Sequence, residues 1–154
     1  MSFPRRCILV LLFASIAHAA DPFYFGVWKI ASASVAPWWK ESKPPANAEM
    51  KSLVGKTVTI DAKTVRGPRA FACTGAKFQL KDYTADMLFQ GGLGEMRASD
   101  KSVDPVKVAA GVGFKGSSWK VLETGCGNEV DYHFIDPETA AIGLNNYIYI
   151  LKKQ

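Results

Sequence analysis

Histidine is scarce in this 154-residue chain and cysteine nearly so, with two of the first and three of the second. His18 and Cys7 fall in the N-terminal stretch, so the rest of the chain carries His133, Cys73 and Cys126. That is a poor ligand set for a structural metal, because zinc takes four ligands that usually come in close pairs. No metal and no other cofactor is expected. Catalysis by a nucleophile leaning on a histidine base would fall to His133 alone. It sits between Tyr132 and Phe134 in a strand-like run and reads as a packed strand residue. Ser117-Ser118 lacks the glycines of a nucleophile elbow. The charge balance is only mildly basic: 19 Lys and Arg stand against 14 Asp and Glu, and the basic residues are scattered along the chain. No basic face interleaved with aromatics emerges, so nucleic acid is not an expected partner. The chain has no internal repeat and no low-complexity segment.

Residues 7–16 (CILVLLFASI) form an apolar run preceded by Arg5 and Arg6 and followed by Ala17-His18-Ala19. A charged start, a short apolar stretch and small residues at the cleavage positions are the three parts of a secretory signal peptide. The run is shorter than the roughly 20 residues a membrane-spanning helix needs, so no transmembrane anchor is expected. Cys7 stands at the front of the run, not just after it, and is not placed for lipid attachment. The sequence therefore predicts a signal peptide over 1–19 and a single β-rich domain over 20–154, periplasmic or secreted. Loss of Arg5 and Arg6 takes the formal charge from +5 to +3, which leaves a mild preference for anionic ligands or surfaces. In an oxidising compartment an even number of cysteines reads as a disulfide, and Cys73–Cys126 is the one pairing available.

The remainder reads as strands and turns. Residues 25–36 are β-capable, with Val27 and Val35 on one face and Trp28 and Ile30 on the other. Pro37 stops the run, since it cannot donate to a ladder, and 38–47 is a polar loop. Residues 56–62 alternate, with Val58 and Ile60 facing one way. Arg66-Gly67-Pro68-Arg69 is a turn. Residues 70–80 read as one strand, with Ala72, Phe78 and Leu80 on one face and Phe71 and Cys73 on the other. Short helices are expected over 84–90, ended by Gly91-Gly92, and from Asp104-Pro105 to an exit at Gly111. Strands return over 119–124, 129–136, 139–144 and 147–151; the last is apolar on both faces and should be covered on both. Gly111, Gly113 and Gly116 match the letters of a dinucleotide fingerprint, but a helix precedes them and a strand follows. That is the reverse of what the fingerprint needs, so they read as a turn. The fold class is all-β and mainly antiparallel: a small barrel or sandwich with one or two short helices and one disulfide.

Gly26-Val27-Trp28 opens the first strand after the leader. A Gly-x-Trp there, in an exported all-β chain with one disulfide, resembles the lipocalin and avidin-like barrels. The resemblance implies an eight-stranded up-and-down barrel around a cavity for one small ligand. Gly26 would permit a tight entry and Trp28 would plug one end. The basic residue such barrels carry near the last strand would be Lys152.

Binding candidates lie in loops. Trp38 and Trp39 are neighbours and cannot both enter one core from an extended chain. Either one of them marks an exposed binding surface, or one seals the end of the core while the other lies along the surface. Arg66 and Arg69 flank a tight turn and could share an anion, or be a solvated basic turn. Among Asp82, Asp86, Glu123, Glu129, Asp131 and Asp136, two could meet as an acid/base pair. Three functions follow. The first is a binding protein for a small apolar, amphipathic or anionic ligand. The second is a module for an envelope protein partner, such as an inhibitor. The third is a hydrolase built on carboxylates. A cavity above about 300 Å³ points to the first, and a filled core to the second.

Overall fold

Antiparallel pairing organises the chain from end to end. The computed structural model describes residues 21–154, so the leader expected over 1–19 lies outside the described residues. The strands are β1 (Gly26–Val35), β2 (Thr57–Asp61), β3 (Thr64–Arg66), β4 (Cys73–Thr74), β5 (Gln79–Tyr83), β6 (Trp119–Glu123), β7 (Tyr132–Asp136), β8 (Thr139–Leu144) and β9 (Tyr147–Lys153). Three short helices join them, α1 (Ala48–Leu53), α2 (Gly92–Ser99) and α3 (Pro105–Val112), with a 3-10 turn at Ala85–Met87. All nine strands belong to one sheet in the order β4-β3-β2-β1-β9-β8-β7-β6-β5. The expected all-β antiparallel class holds, and its form is a curled half-barrel rather than a sandwich. Trp28 on β1 and Phe134 on β7 lie three strands apart, roughly 14 Å in a flat sheet. Their rings stand 5.7 Å apart, which only a strong curl allows.

Period-two alternation sorts the side chains onto two apolar faces. The concave face gathers Trp28, Ile30, Val58, Ile60, Phe71, Tyr132, Phe134, Tyr149 and Leu151 into one buried cluster, capped by Leu53 of α1. The convex face carries Val121, Ala141 and Ile148, covered by Leu88, Leu93, Ala109 and Phe114 from the helical segment. β9 contributes to both clusters, as its unbroken apolar run predicts.

Several expectations need correction. Residues 70–80 are not one strand. Gly75 (φ +72°) breaks the run, and the two pieces, β4 and β5, occupy opposite edges of the sheet. The segment between them works as a strap. Ala76 N–H donates to Lys63 O and Lys77 N–H to Thr124 O, each at 2.9 Å, so that it ties one edge region to the other. The register of β1 against β9 shifts between Ile30 and Ser32. This bulge places Val35 opposite Tyr147 on the concave side, away from the face of Val27. Residues 84–90 hold only the 3-10 turn, and Gly91-Gly92 start α2 instead of ending a helix. α3 begins as expected: Asp104 accepts from Val106 N–H at 3.0 Å and Pro105 takes the first position. It runs through Gly111 and stops at Gly113, whose φ of +109° suits glycine. α1 and β3 were not anticipated.

Gly26 has φ +121°, and Trp28 is fully buried with its indole N–H donating to Tyr24 O at 3.0 Å. The basic residue beside it is Lys153, not Lys152. The Lys153 ammonium lies 5.7 Å from the Trp28 ring centre and donates to Phe23 O, whereas Lys152 donates to Thr139 Oγ1 at 2.6 Å. The half-barrel is compatible with a calycin-like fold, but its edges are not paired with each other and it has nine strands rather than eight.

The disulfide forms as expected: Cys73 of β4 is bonded to Cys126 in the β6–β7 loop, with Cα atoms 6.1 Å apart. It spans the same gap as the strap. A cross-link between residues 53 apart restricts the unfolded chain by about 4 kcal/mol in the loop-entropy picture. Replacing both cysteines by serine is therefore expected to lower the urea midpoint by an amount corresponding to about 4 kcal/mol. A loss below about 1 kcal/mol would mean that the strap alone holds the edges together.

Candidate functional site

Where β1 ends, the two adjacent tryptophans part. Ala36 N–H donates to Asn146 O at 2.9 Å, fixing the exit of the strand. Trp38 turns towards the convex face: its indole N–H donates to Asn145 O at 3.1 Å and its ring stands 5.6 Å from that of Phe89. Trp39 turns back on its own loop, its indole N–H donating to Lys43 O at 2.9 Å. Both are half-buried.

A cleft of about 430 Å³ opens beside Trp38, between the convex face and α2. Trp38, Phe89 and Met96 give it an apolar floor, and Lys40, Gln90, Glu95, Ser99 and Asn145 a polar rim. Gly143 of β8 lies under the two rings. A Cβ there would stand 3.1 Å from Phe89 and 3.2 Å from Trp38, so any side chain at this strand position would lift the floor. The wall is strained. Phe89 and Gln90 both have φ +54°, a left-handed conformation that costs a non-glycine residue on the order of 1 kcal/mol. Burial of Phe89 against Phe114 and His133, at ring distances of 5.9 and 4.9 Å, holds it there. Gln90 is tied by its side chain, which donates to Glu129 O at 3.2 Å.

Below the floor, on the same face of the sheet, lies a polar cluster. His133 is fully buried and neither ring nitrogen has a protein partner. Burial holds it neutral, pushing its pKa down to about 3. Tyr83 donates to Glu123 Oε1 at 2.5 Å, and burial together with that carboxylate pushes the phenol up to about 12. Lys81 Nζ sits 2.7 Å from Glu123 Oε2 and, with Tyr83, holds that carboxyl below its ordinary value. Asp131 goes the other way, raised to about 6, first by burial and then by the Glu123 charge. Of the six carboxylates singled out from sequence, Glu123 and Asp131 are thus brought together. Asp82 is paired with Lys120 at 2.7 Å and Asp86 with Arg97 at 2.8 Å, while Asp136 accepts from Glu138 N–H at 2.8 Å. Glu123 is engaged by Tyr83 and Lys81, so the pair is organised as a packed network. Among the described residues no group of three or more metal-ligating side chains is gathered.

The two turn arginines separate. Arg66 is paired with Asp61 at 2.8 Å, and Arg69 lines a different cleft. The barrel interior, where the resemblance places a ligand, is occupied by Trp28, Phe71, Tyr132 and Tyr149, all buried. Of the residues lining the cleft, sequence reasoning named Trp38 and did not name Phe89, Gln90, Met96 or Gly143. A glycine in an otherwise apolar strand was the one available signal for the last of these.

His133 and Asp131 act on stability in opposite senses. The unfolded chain protonates His133 near 6.5 and the folded chain only near 3, so stability falls as pH drops through that interval, by about 1.4 kcal/mol per unit for one proton. Asp131 is protonated in the folded chain below about 6 but in the unfolded chain only near 4, so it adds stability as pH drops from 6 to 4. Urea midpoints should therefore change little between pH 6 and 4.5. Asp131→Asn should uncover a decline towards acid, and His133→Leu a rise. Parallel profiles in the two variants would refute the assignment. Comparison with known proteins finds no matching family model, no similar curated protein and no similar solved structure.

Proposed function

We propose that the protein is an exported, non-catalytic binding module that holds a small amphipathic ligand in the Trp38 cleft. The observation that carries this is the cleft itself: about 430 Å³, floored by aromatic and thioether side chains and rimmed by a lysine, a carboxylate and amides. That volume falls in the range of small-molecule sites. A polar rim over an apolar floor suits a molecule with an apolar body and a hydrogen-bonding end. Strain at Phe89–Gln90 supports the reading, since left-handed non-glycine residues gather at ligand clamps. The charged and apolar pattern over 1–19 and the Cys73–Cys126 bond support export. The pairing of Trp28 with Lys153 supports a kinship with lipocalin-like barrels, with the ligand held outside the barrel instead of within it. The filled interior favours a second reading, a module for an envelope protein partner, in which Trp38 would be the anchor at the interface.

Tryptophan emission separates the readings from inactivity. Trp28 and Trp119 are buried, at 0% and 5% exposure, so changes on titration report chiefly on Trp38 and Trp39. A panel of aromatic and short-chain amphiphiles should include one that shifts the emission saturably. Trp38→Ala should weaken its binding at least tenfold, about 1.4 kcal/mol, and Trp39→Phe should leave it unchanged. No response across the panel, or a response that survives Trp38→Ala, would rule the cleft out as the ligand site.

A further inference from the structure

A second cleft, of about 500 Å³, lies at the α1 end of the half-barrel, between α1 and the 66–69 turn. Its approach is dictated by Gly67. A Cβ at that position would come within 2.7 Å of Thr57 O and 3.2 Å of Val58 Cα, so only glycine lets the turn lie directly on the start of β2. With the β2–β3 pairing, this contact brings Arg69 and Lys56, which flank the hairpin, to one cleft. Lys56 is anchored in turn: its carbonyl accepts from Ile30 N–H, and Gly55 N–H donates to Ile30 O, both at 2.8 Å.

Neither Lys56 nor Arg69 has a carboxylate partner among the described residues, although the neighbouring Arg66 does. The one carboxylate lining the cleft, Glu49, is drawn off it: its Oε2 accepts from Asn145 Nδ2 at 2.7 Å. Leu53, Pro68 and Ala70 give the cleft apolar lining, and Ser52 and Thr57 add hydroxyls.

We propose that this cleft is an oxyanion site, in which Lys56 and Arg69 hold a carboxylate or phosphate group whose apolar attachment rests on Leu53 and Pro68. Two unpaired cations beside apolar lining complement a charged head on a hydrophobic body, and guanidinium and ammonium donors bind oxyanions by charge-assisted hydrogen bonds. The site shares no lining residue with the Trp38 cleft, so it stands or falls independently of the function proposed for that cleft.

The test is an NMR titration of the disulfide-bonded protein with two probes, inorganic phosphate and octanoate. Saturable shifts are expected at the amides of Ser52, Gly67 and Ala70. Lys56→Gln and Arg69→Gln should each weaken the response about tenfold. Arg66→Gln, three residues before Arg69 and already ion-paired with Asp61, should leave it unchanged. All three side chains are exposed, so the variants retain the fold. Saturation by octanoate alone identifies a carboxylate on an apolar body, and saturation by phosphate alone a phosphate group; both support the site. The proposal is overturned if neither probe saturates, or if Arg66→Gln weakens binding as much as Arg69→Gln.

Discussion

The closure of the sheet rests on a covalent constraint. β4 ends at Thr74 and β5 begins at Gln79, yet they are the two edges of a nine-stranded sheet. Laid flat, eight strand spacings would separate those edges by roughly 38 Å. The five peptide steps from Thr74 to Gln79 reach at most about 18 Å. Pairing in this order is therefore incompatible with a flat sheet, and the curl follows from chain length before any side chain is considered. The Cys73–Cys126 bond and the backbone bonds of Ala76 and Lys77 then fasten edges that chain length has already forced together.

The curl decides what the interior becomes. Side chains from strands that would be distant in a flat sheet converge on the concave face, and large ones dominate there: Trp28, Tyr132, Tyr149 and Phe71 are all at or near zero exposure. Truncating one such aromatic would cost roughly 3–5 kcal/mol, so the interior acts as a core. The Lys153 ammonium, 5.7 Å from the Trp28 ring centre, ties β9 to the segment before β1 through Phe23 O. With the inside filled, surfaces available to a ligand lie on the convex side and at the barrel ends, where helices and turns meet strands.

How far the sequence discloses this depends on whether a feature is local. The alternation of Val58 and Ile60, the two-faced run of β9, and the Asp104-Pro105 cap are decided within a few residues, and each was legible. The strand over 70–80 was misjudged because its interruption is set by closure of the whole sheet; Gly75 is a sign of it only in hindsight. The face of Val35 depends on one extra residue near Ala31, which alternation cannot register. The site was half legible. The divergence of Trp38 and Trp39 follows from adjacency, but the partners of Trp38 come from β8 and from a left-handed pair, Phe89-Gln90, that no propensity favours. The two arginines failed as a pair because Asp61, only five residues before Arg66, captures one of them.

Both surface clefts are governed by a glycine in contact with something rigid. At Gly143 the missing Cβ makes room for the Trp38 and Phe89 rings; at Gly67 it lets a turn touch the backbone of β2. The two differ in what selects the glycine. Gly67 also has φ +152°, so conformation and space both select glycine there, and its role in folding would suffice to explain it. Gly143 lies inside a regular strand without a left-handed φ, where alanine or valine would raise strand propensity. Its one structural reason is the pair of rings stacked above it, and those rings form the floor of the Trp38 cleft. Phe89 is itself buried in the convex core, at 4% exposure, so the missing Cβ at Gly143 serves core packing and the floor of the cleft at once, and the strand propensity lost there is offset by the rings seated on it.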